Sequence, residues 1–383
     1  SRLARAGLAV AVLERGKEYA TGSFPKRFPE VRAEMMMSGG ASGVARRPGL
    51  YDVRLGEHIH VLVGCGVGGG SLVNAGVALR PDARVFPEAL RGDGLLDEGF
   101  RRAAAWLRPA TDPRAAGMTK LRALAAVSAA VGPAPVAAPV AVSFADTVSA
   151  GGLAQPACSR CGDCCGGCNV GAKNTVAMTY LPDAVAAGAA IFATTAVSHV
   201  EPAGGGWRVH WQSLGGEGTG AIEARIVILA AGTLGSTEIL LRSGAAGLPL
   251  SGRLGHGFSA NGDIIAFAAN GRARVNAVGI GHPARDGLEP PGASVTGEIE
   301  IGDDDDLDLG MIIQEGVLPS ALAPLLPVLF VPGGRLIGAA QALLKGVYDG
   351  PLARTQTFFV VSHDSARGQI VLRGGRSAIH WPD

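Results

Sequence analysis

Residues 64–79 read GCGVGGGSLVNAGVAL, with glycine at 64, 66, 68, 69 and 70, followed by Ser71, Leu72, Val73 and Asn74. Glycine lacks a Cβ, so such a run tolerates positive φ and lets a flat or charged ligand lie against bare backbone. Backbone N–H groups turned toward one point make a cradle for phosphate or carbonyl oxygens. A mobile surface loop would carry the same composition, so the run needs support from elsewhere in the chain.

That support begins at the N-terminus. Residues 1–6 read as the end of a helix with Gly7 as its C-cap, and residues 8–13 (LAVAVL) as a buried parallel strand ending at Glu14. Helix, glycine, strand and terminal acid form the second half of a dinucleotide-binding βαβ unit, in which the acid hydrogen-bonds a ribose. The G-x-G-x-x-G that should precede it is absent. The chain starts at Ser1 without Met and in mid-pattern, so it reads as a fragment. Residues 17–57 lack periodicity and form an excursion over the cofactor, with Met35, Met36 and Met37 as core filler. Residues 58–63 are a strand feeding the glycine run. His58 and His60 share one face of it, with no third ligand nearby.

A second strand–bend–helix unit lies downstream. Residues 189–200 are strand-like, and residues 207–212 and 222–229 form a hairpin around a glycine-rich turn. Residues 226–230 (IVILA) read as a buried strand running into Ala231 and Gly232, with a helix following from Glu238. A helix N-terminus behind small residues is receptive to anions.

With these segments in place, the chain closely resembles the cholesterol oxidase branch of the glucose–methanol–choline (GMC) family of FAD-dependent oxidoreductases. The resemblance rests on GVGGGSLVN at 66–74, LERG at 13–16, CSRCGDCCGGCNVGAKN at 158–174, AAGTLGSTEILLRSG at 230–244 and GHGFSANGD at 255–263. It implies an α/β fold: a Rossmann-like FAD-binding domain and an α+β substrate domain built on an antiparallel sheet, here truncated. The implied FAD contacts are Glu14, Arg15, Gly69, Gly70, Ser71, Asn74, Gly76, Val197, Ala231 and Gly232. The implied reaction is oxidation of a sterol or other hydrophobic alcohol to a carbonyl, with hydride passing to flavin N5. The family's catalytic His with its His or Asn partner is expected beyond Asp383. Glu315 is the candidate for the cavity glutamate of the sterol enzymes, and His363 reads as a turn residue.

Five of six cysteines fall between 158 and 168. Cys158, Cys161, Cys164 and Cys168 give C-x2-C-x2-C-x3-C, the spacing of a bacterial cubane cluster, although Asn169 replaces the usual proline. Three readings stay open: an iron–sulfur cluster, structural zinc, and disulfides or free thiols with no metal. Some GMC sugar dehydrogenases carry an iron–sulfur cluster, which tilts the expectation toward a dehydrogenase passing electrons to an acceptor. A non-catalytic electron-transfer or zinc-stapled binding protein is the alternative. Cys65 reads as structural.

The remaining features set bounds. A formal net charge of +1 gives no electrostatic footprint for nucleic acid. The most apolar stretch, 317–332, carries four prolines and does not read as a membrane span, though contact with a membrane surface stays open. A cytoplasmic location is the expectation, with secretion left open because the N-terminus is missing. The expected organisation is 1–87 and 176–263 as two parts of the FAD domain, 88–157 a helical insertion, 158–175 the cysteine-rich segment and 264–383 an incomplete substrate domain. In the last, residues 358–361 and 369–372 are expected to pair across a turn, and residues 317–344 to form a cavity wall or lid. Asp303–Asp306 reads as a solvated acidic tip.

Overall fold

A computed structural model describes residues 1–382 except 39–47, 93, 131, 217, 270, 303–305 and 324–346. Most of the acidic tip and most of the expected cavity wall therefore lie outside the described residues.

The largest sheet has five antiparallel strands in the order Ile264–Ala268, Gln356–Ser362, Met311–Gly316, Gly297–Ile301 and Val136–Ala137. The helix Thr119–Ser128 closes one face, packing Leu121 and Leu124 against Ile299. Gly297 permits that approach, since a Cβ there would lie 2.1 Å from Leu121 Cδ1. A second sheet, Thr195–Ala203, Gly206–Ser213 and Thr219–Ala224, is covered by the helix Gly232–Ala245. Val200, Val209 and Ile239 form its core. Ser243 locks the two layers together, its hydroxyl accepting from Val200 N at 2.9 Å and donating to Ile239 O at 2.8 Å.

The parallel element is small. Ala11–Leu13 pairs in parallel with Ala190–Phe192, and Met35–Ser38 with Tyr51–Leu55. The first pair extends through Glu14 N, which donates to Phe192 O at 2.9 Å, and Thr195 N, which donates to Glu14 O at 2.8 Å. The N-terminal helix, Arg2–Arg5, precedes Gly7 at φ 80°.

Four sequence expectations need correction. Residues 8–13 are not a buried strand: only Ala11–Leu13 pair, and Leu8 is exposed, because one neighbouring strand covers one edge. Residues 226–230 run extended but join no sheet among the described residues. Ile226 and Ile228 stay 66% and 65% exposed, while Val227 and Leu229 pack inward. The Met35–Met37 run is only partly core, with Met36 buried and Met37 exposed. Finally, residues 358–361 and 369–372 do not pair. Gln356–Ser362 sits between Ile264–Ala268 and Met311–Gly316, whereas Gly368–Arg373 turns through Gly374 and Gly375 onto Arg376–His380. Both of those glycines have positive φ, which suits a tight hairpin, so the local partner wins. No helix among the described residues is long and apolar enough to cross a membrane.

Candidate functional site

The strand end at Glu14 and the glycine run meet in close backbone contact, joined also by the Glu14 carboxyl at Gly66 N and by Arg15 at Cys65. A Cβ on Gly16 would lie 2.3 Å from Gly66 N, and Val67 N donates to Lys17 O at 2.9 Å. Glu14 Oε1 accepts from Gly16 N at 2.6 Å. Burial pushes this carboxyl up, against the opposing pull of the Gly16 and Gly66 N–H groups and Arg15. Gly68 and Gly69 have φ of 118° and 56°, and a Cβ at Gly69 or Gly70 would meet nothing within 4 Å. Bare backbone there faces open space, which a planar ligand could fill. Ser71 braces the bend: its hydroxyl donates to Gly68 O at 2.6 Å and accepts from Val176 N at 3.0 Å. Asn74 is exposed, and Gly76, at φ 79°, abuts the Lys173 stem.

A charged chain links this region to the second bend. Arg15 Nη2 lies 2.8 Å from Asp52 Oδ2, which also pairs with Arg54 at 3.2 Å. Arg54 reaches Glu238 at 3.2 Å, and Glu238 accepts from Ser377 N at 2.9 Å and from Arg242. Four separate segments are thus fastened together: the Glu14 strand end, Tyr51–Leu55, Gly232–Ala245 and Arg376–His380. Burial alone would raise the carboxyl of Asp52, but Arg15 and Arg54 hold it below its ordinary value. Glu238 is likewise held low, the Ser377 hydrogen bonds and the flanking arginines outweighing burial. Ala231 and Gly232 are exposed at the start of their helix, with Ser236 Oγ accepting from Ala231 N at 3.0 Å. Val197 pairs with Trp211 and packs into the core beneath the second sheet.

Cys158, Cys161, Cys164 and Cys168 line one cavity of about 20 Å³, together with Lys173 and Asp163. That volume holds one water-sized occupant. Arg160 N donates to Cys158 Sγ at 3.3 Å. Burial pushes the Cys161 thiol up to about 12 and raises those of Cys158, Cys164 and Cys165 as well. Among the described residues no group of three or more His, Cys, Asp or Glu is arranged to hold a metal ion. The loop is pinned from outside: Asp163 accepts from Ser320 N at 2.6 Å and Gly281 N at 3.1 Å, and Arg160 pairs with buried Asp112 at 2.9 Å.

Glu315 sits in the five-stranded sheet with 0% exposure. Lys120 Nζ, itself 1% exposed, lies 2.7 Å from its Oε2, and Oε1 accepts from Thr296 N at 2.8 Å and from the Thr296 hydroxyl. Enclosed and ion-paired in this way, it is a core charge pair rather than an accessible base. His363, on the turn, lies 3.9 Å from Asp308.

Sequence reading missed Asp52, Arg54, Lys120, Lys173 and Glu238. Each is a charged residue of a type usually solvated, and only Lys173, in the matched 158–174 string, and Glu238, in the matched 230–244 string, carried any signal.

Comparison with known proteins places the chain among similar sequences. The model of the GMC oxidoreductase family matches residues 141–259. A cholesterol oxidase of Mycobacterium tuberculosis is 27% identical over 373 residues, covering 90% of this chain and 58% of that protein. One from Acinetobacter baumannii is 28% identical over 300 residues, covering 69% of this chain and 52% of that protein. An uncharacterized GMC-type oxidoreductase of M. tuberculosis is 32% identical over 263 residues, covering 66% and 38%. The chain therefore spans less than two thirds of the length of these relatives. Residues 141–259 thus form a GMC oxidoreductase domain by their match, and the chain as a whole is similar to the cholesterol oxidases of that family.

Proposed function

We propose that this chain is the larger part of an FAD-dependent oxidoreductase that converts an alcohol, of sterol or similar hydrophobic character, to a carbonyl. The observation that carries the reading is the backbone contact between Gly16 and Gly66, which sets the Glu14 carboxylate beside an open glycine bend. In this reading Glu14 accepts from ribose hydroxyls, held in line by the Gly16 N–H. Gly69 N already donates to Gly66 O at 2.7 Å and Ala231 N to Ser236 Oγ at 3.0 Å, so in these bends the N–H groups of Gly70 and Gly232 are the ones offered to pyrophosphate and flavin oxygens. Ser71 works indirectly, because its hydroxyl is engaged within the bend. Asn74, exposed at the end of the bend, has a donor and an acceptor to offer. Arg15 shapes the pocket from behind by gripping Asp52. Bound flavin supplies the hydride acceptor.

The cysteine loop is read as a staple beside the cofactor half. Among the described residues no group of three or more His, Cys, Asp or Glu is arranged to hold a metal, so no electron step is routed through it. Electrons then leave from the flavin to an acceptor of unidentified chemistry.

The purified chain should take up FAD and bind it with the visible bands of a protein-held flavin. Glu14→Gln should weaken that binding at least about tenfold, as expected when a charged hydrogen-bonding partner is neutralised. A chain that leaves FAD free, with a spectrum identical to the unbound nucleotide, would overturn the reading. Metal analysis of the same sample separates a bound zinc ion from iron and from metal-free thiols.

A further inference from the structure

Lys173 is 2% exposed, and among the described residues no carboxylate pairs with it. Its ammonium instead gathers three backbone carbonyls. Nζ donates to Asn74 O at 2.6 Å, Leu72 O at 3.3 Å and Cys164 O at 3.3 Å. Two of these belong to the glycine segment and the third to the cysteine loop, about a hundred residues apart in sequence. The other buried lysine, Lys120, has Glu315 to compensate its charge. A buried side chain whose hydrogen bonds all go to backbone carbonyls of two separate segments ties those segments together.

We infer that Lys173 is a positioning residue that fixes the cofactor-facing bend from behind and makes its conformation interdependent with that of the cysteine loop. The bend needs such a brace. Val73 N and Asn74 N both donate to Gly70 O, while the Leu72 and Asn74 carbonyls, among the described residues, accept from Lys173. The third bond means that displacing Cys164 O releases one of the three anchors of the ammonium, and the strain reaches Asn74. In the other direction, a ligand that tightens the bend also tightens the cysteine loop. The role of the lysine as a brace stands on the contacts alone. Its effect on cofactor binding rests on the proposed FAD reading.

Hydrogen exchange measured peptide by peptide tests this, on wild type and on Lys173→Met, each with and without added FAD. Without FAD, Lys173→Met should speed exchange at least about tenfold in 70–76 and in 162–168 together, with the hairpin Gly206–Ser213 and Thr219–Ala224 unchanged. With FAD, wild type should slow in both stretches, and the variant only in 70–76. Equal exchange in wild type and variant, or acceleration spread evenly over the chain, would overturn the inference. Should Lys173→Met not fold, wild type with FAD still decides: slowing confined to 70–76 overturns it. If FAD changes nothing anywhere, the cofactor reading fails, while the comparison without FAD still judges the brace.

Discussion

Removing one member of the Lys120–Glu315 pair leaves the other charge in the core without compensation, because both side chains are essentially sealed from water. Glu315→Gln or Lys120→Met should each cost about 3–5 kcal/mol in chemical denaturation. The double change to Met and Gln should cost less than the sum of the two single changes, since neither leaves a lone charge behind. Asp52 and Glu238 predict the acid behaviour. Both carboxyls are held below their ordinary values in the fold, so each contributes stability that is present above its unfolded value, about 4, and is lost as pH falls through the lower folded value. Arg54→Met removes the cation they share. The urea midpoint of that variant should fall less steeply between neutral pH and the acid limit than that of wild type. Parallel acid limbs would show that Arg54 is not what holds the two groups low. At this scale the sequence was informative where a residue type was unusual for its use, as with the glycines. It was uninformative for Lys120 and Arg54, because a lysine or arginine in a string of letters reads as solvent-facing.

Gly16 and Gly66 touch backbone to backbone, so the junction is sensitive to a single methyl group. Gly16→Ala places a Cβ against Gly66 N, and the two elements must separate. It should destabilise by about 1–3 kcal/mol and also weaken FAD binding. Gly220→Ala is the matching control: its Cβ would press on the Trp211 ring, in the far hairpin. It should lower the melting temperature and leave FAD affinity as it was. Should both variants lose FAD equally, the junction has no special part in binding. The glycine bend, the second hairpin and the helix after Gly232 were legible because each is governed by local chemistry, a turn or a cap. The pairing of Gln356–Ser362 was not, because strand choice depends on which distant edges lie free. Gly374 and Gly375 offered the nearer partner to Gly368–Arg373.

Across the whole chain, FAD should act as a stabiliser by mass action. A free concentration about a hundredfold above its dissociation constant adds roughly 2.7 kcal/mol, which in a protein of this size moves the thermal midpoint by several degrees. No shift under saturating FAD would contradict the proposed cofactor. The family was legible from short strings because backbone approach to a nucleotide restricts residue type tightly. The domain plan was less so, since the charged chain from Arg15 to Ser377 joins segments that the linear division keeps apart. The ribbon at 226–230 has a practical consequence. Its outward face offers two isoleucines and an unladdered row of amides and carbonyls to anything that collides with it. Stocks of the polypeptide should therefore turn cloudy as they are concentrated, and Ile228→Lys should postpone that clouding without shifting the denaturation curve.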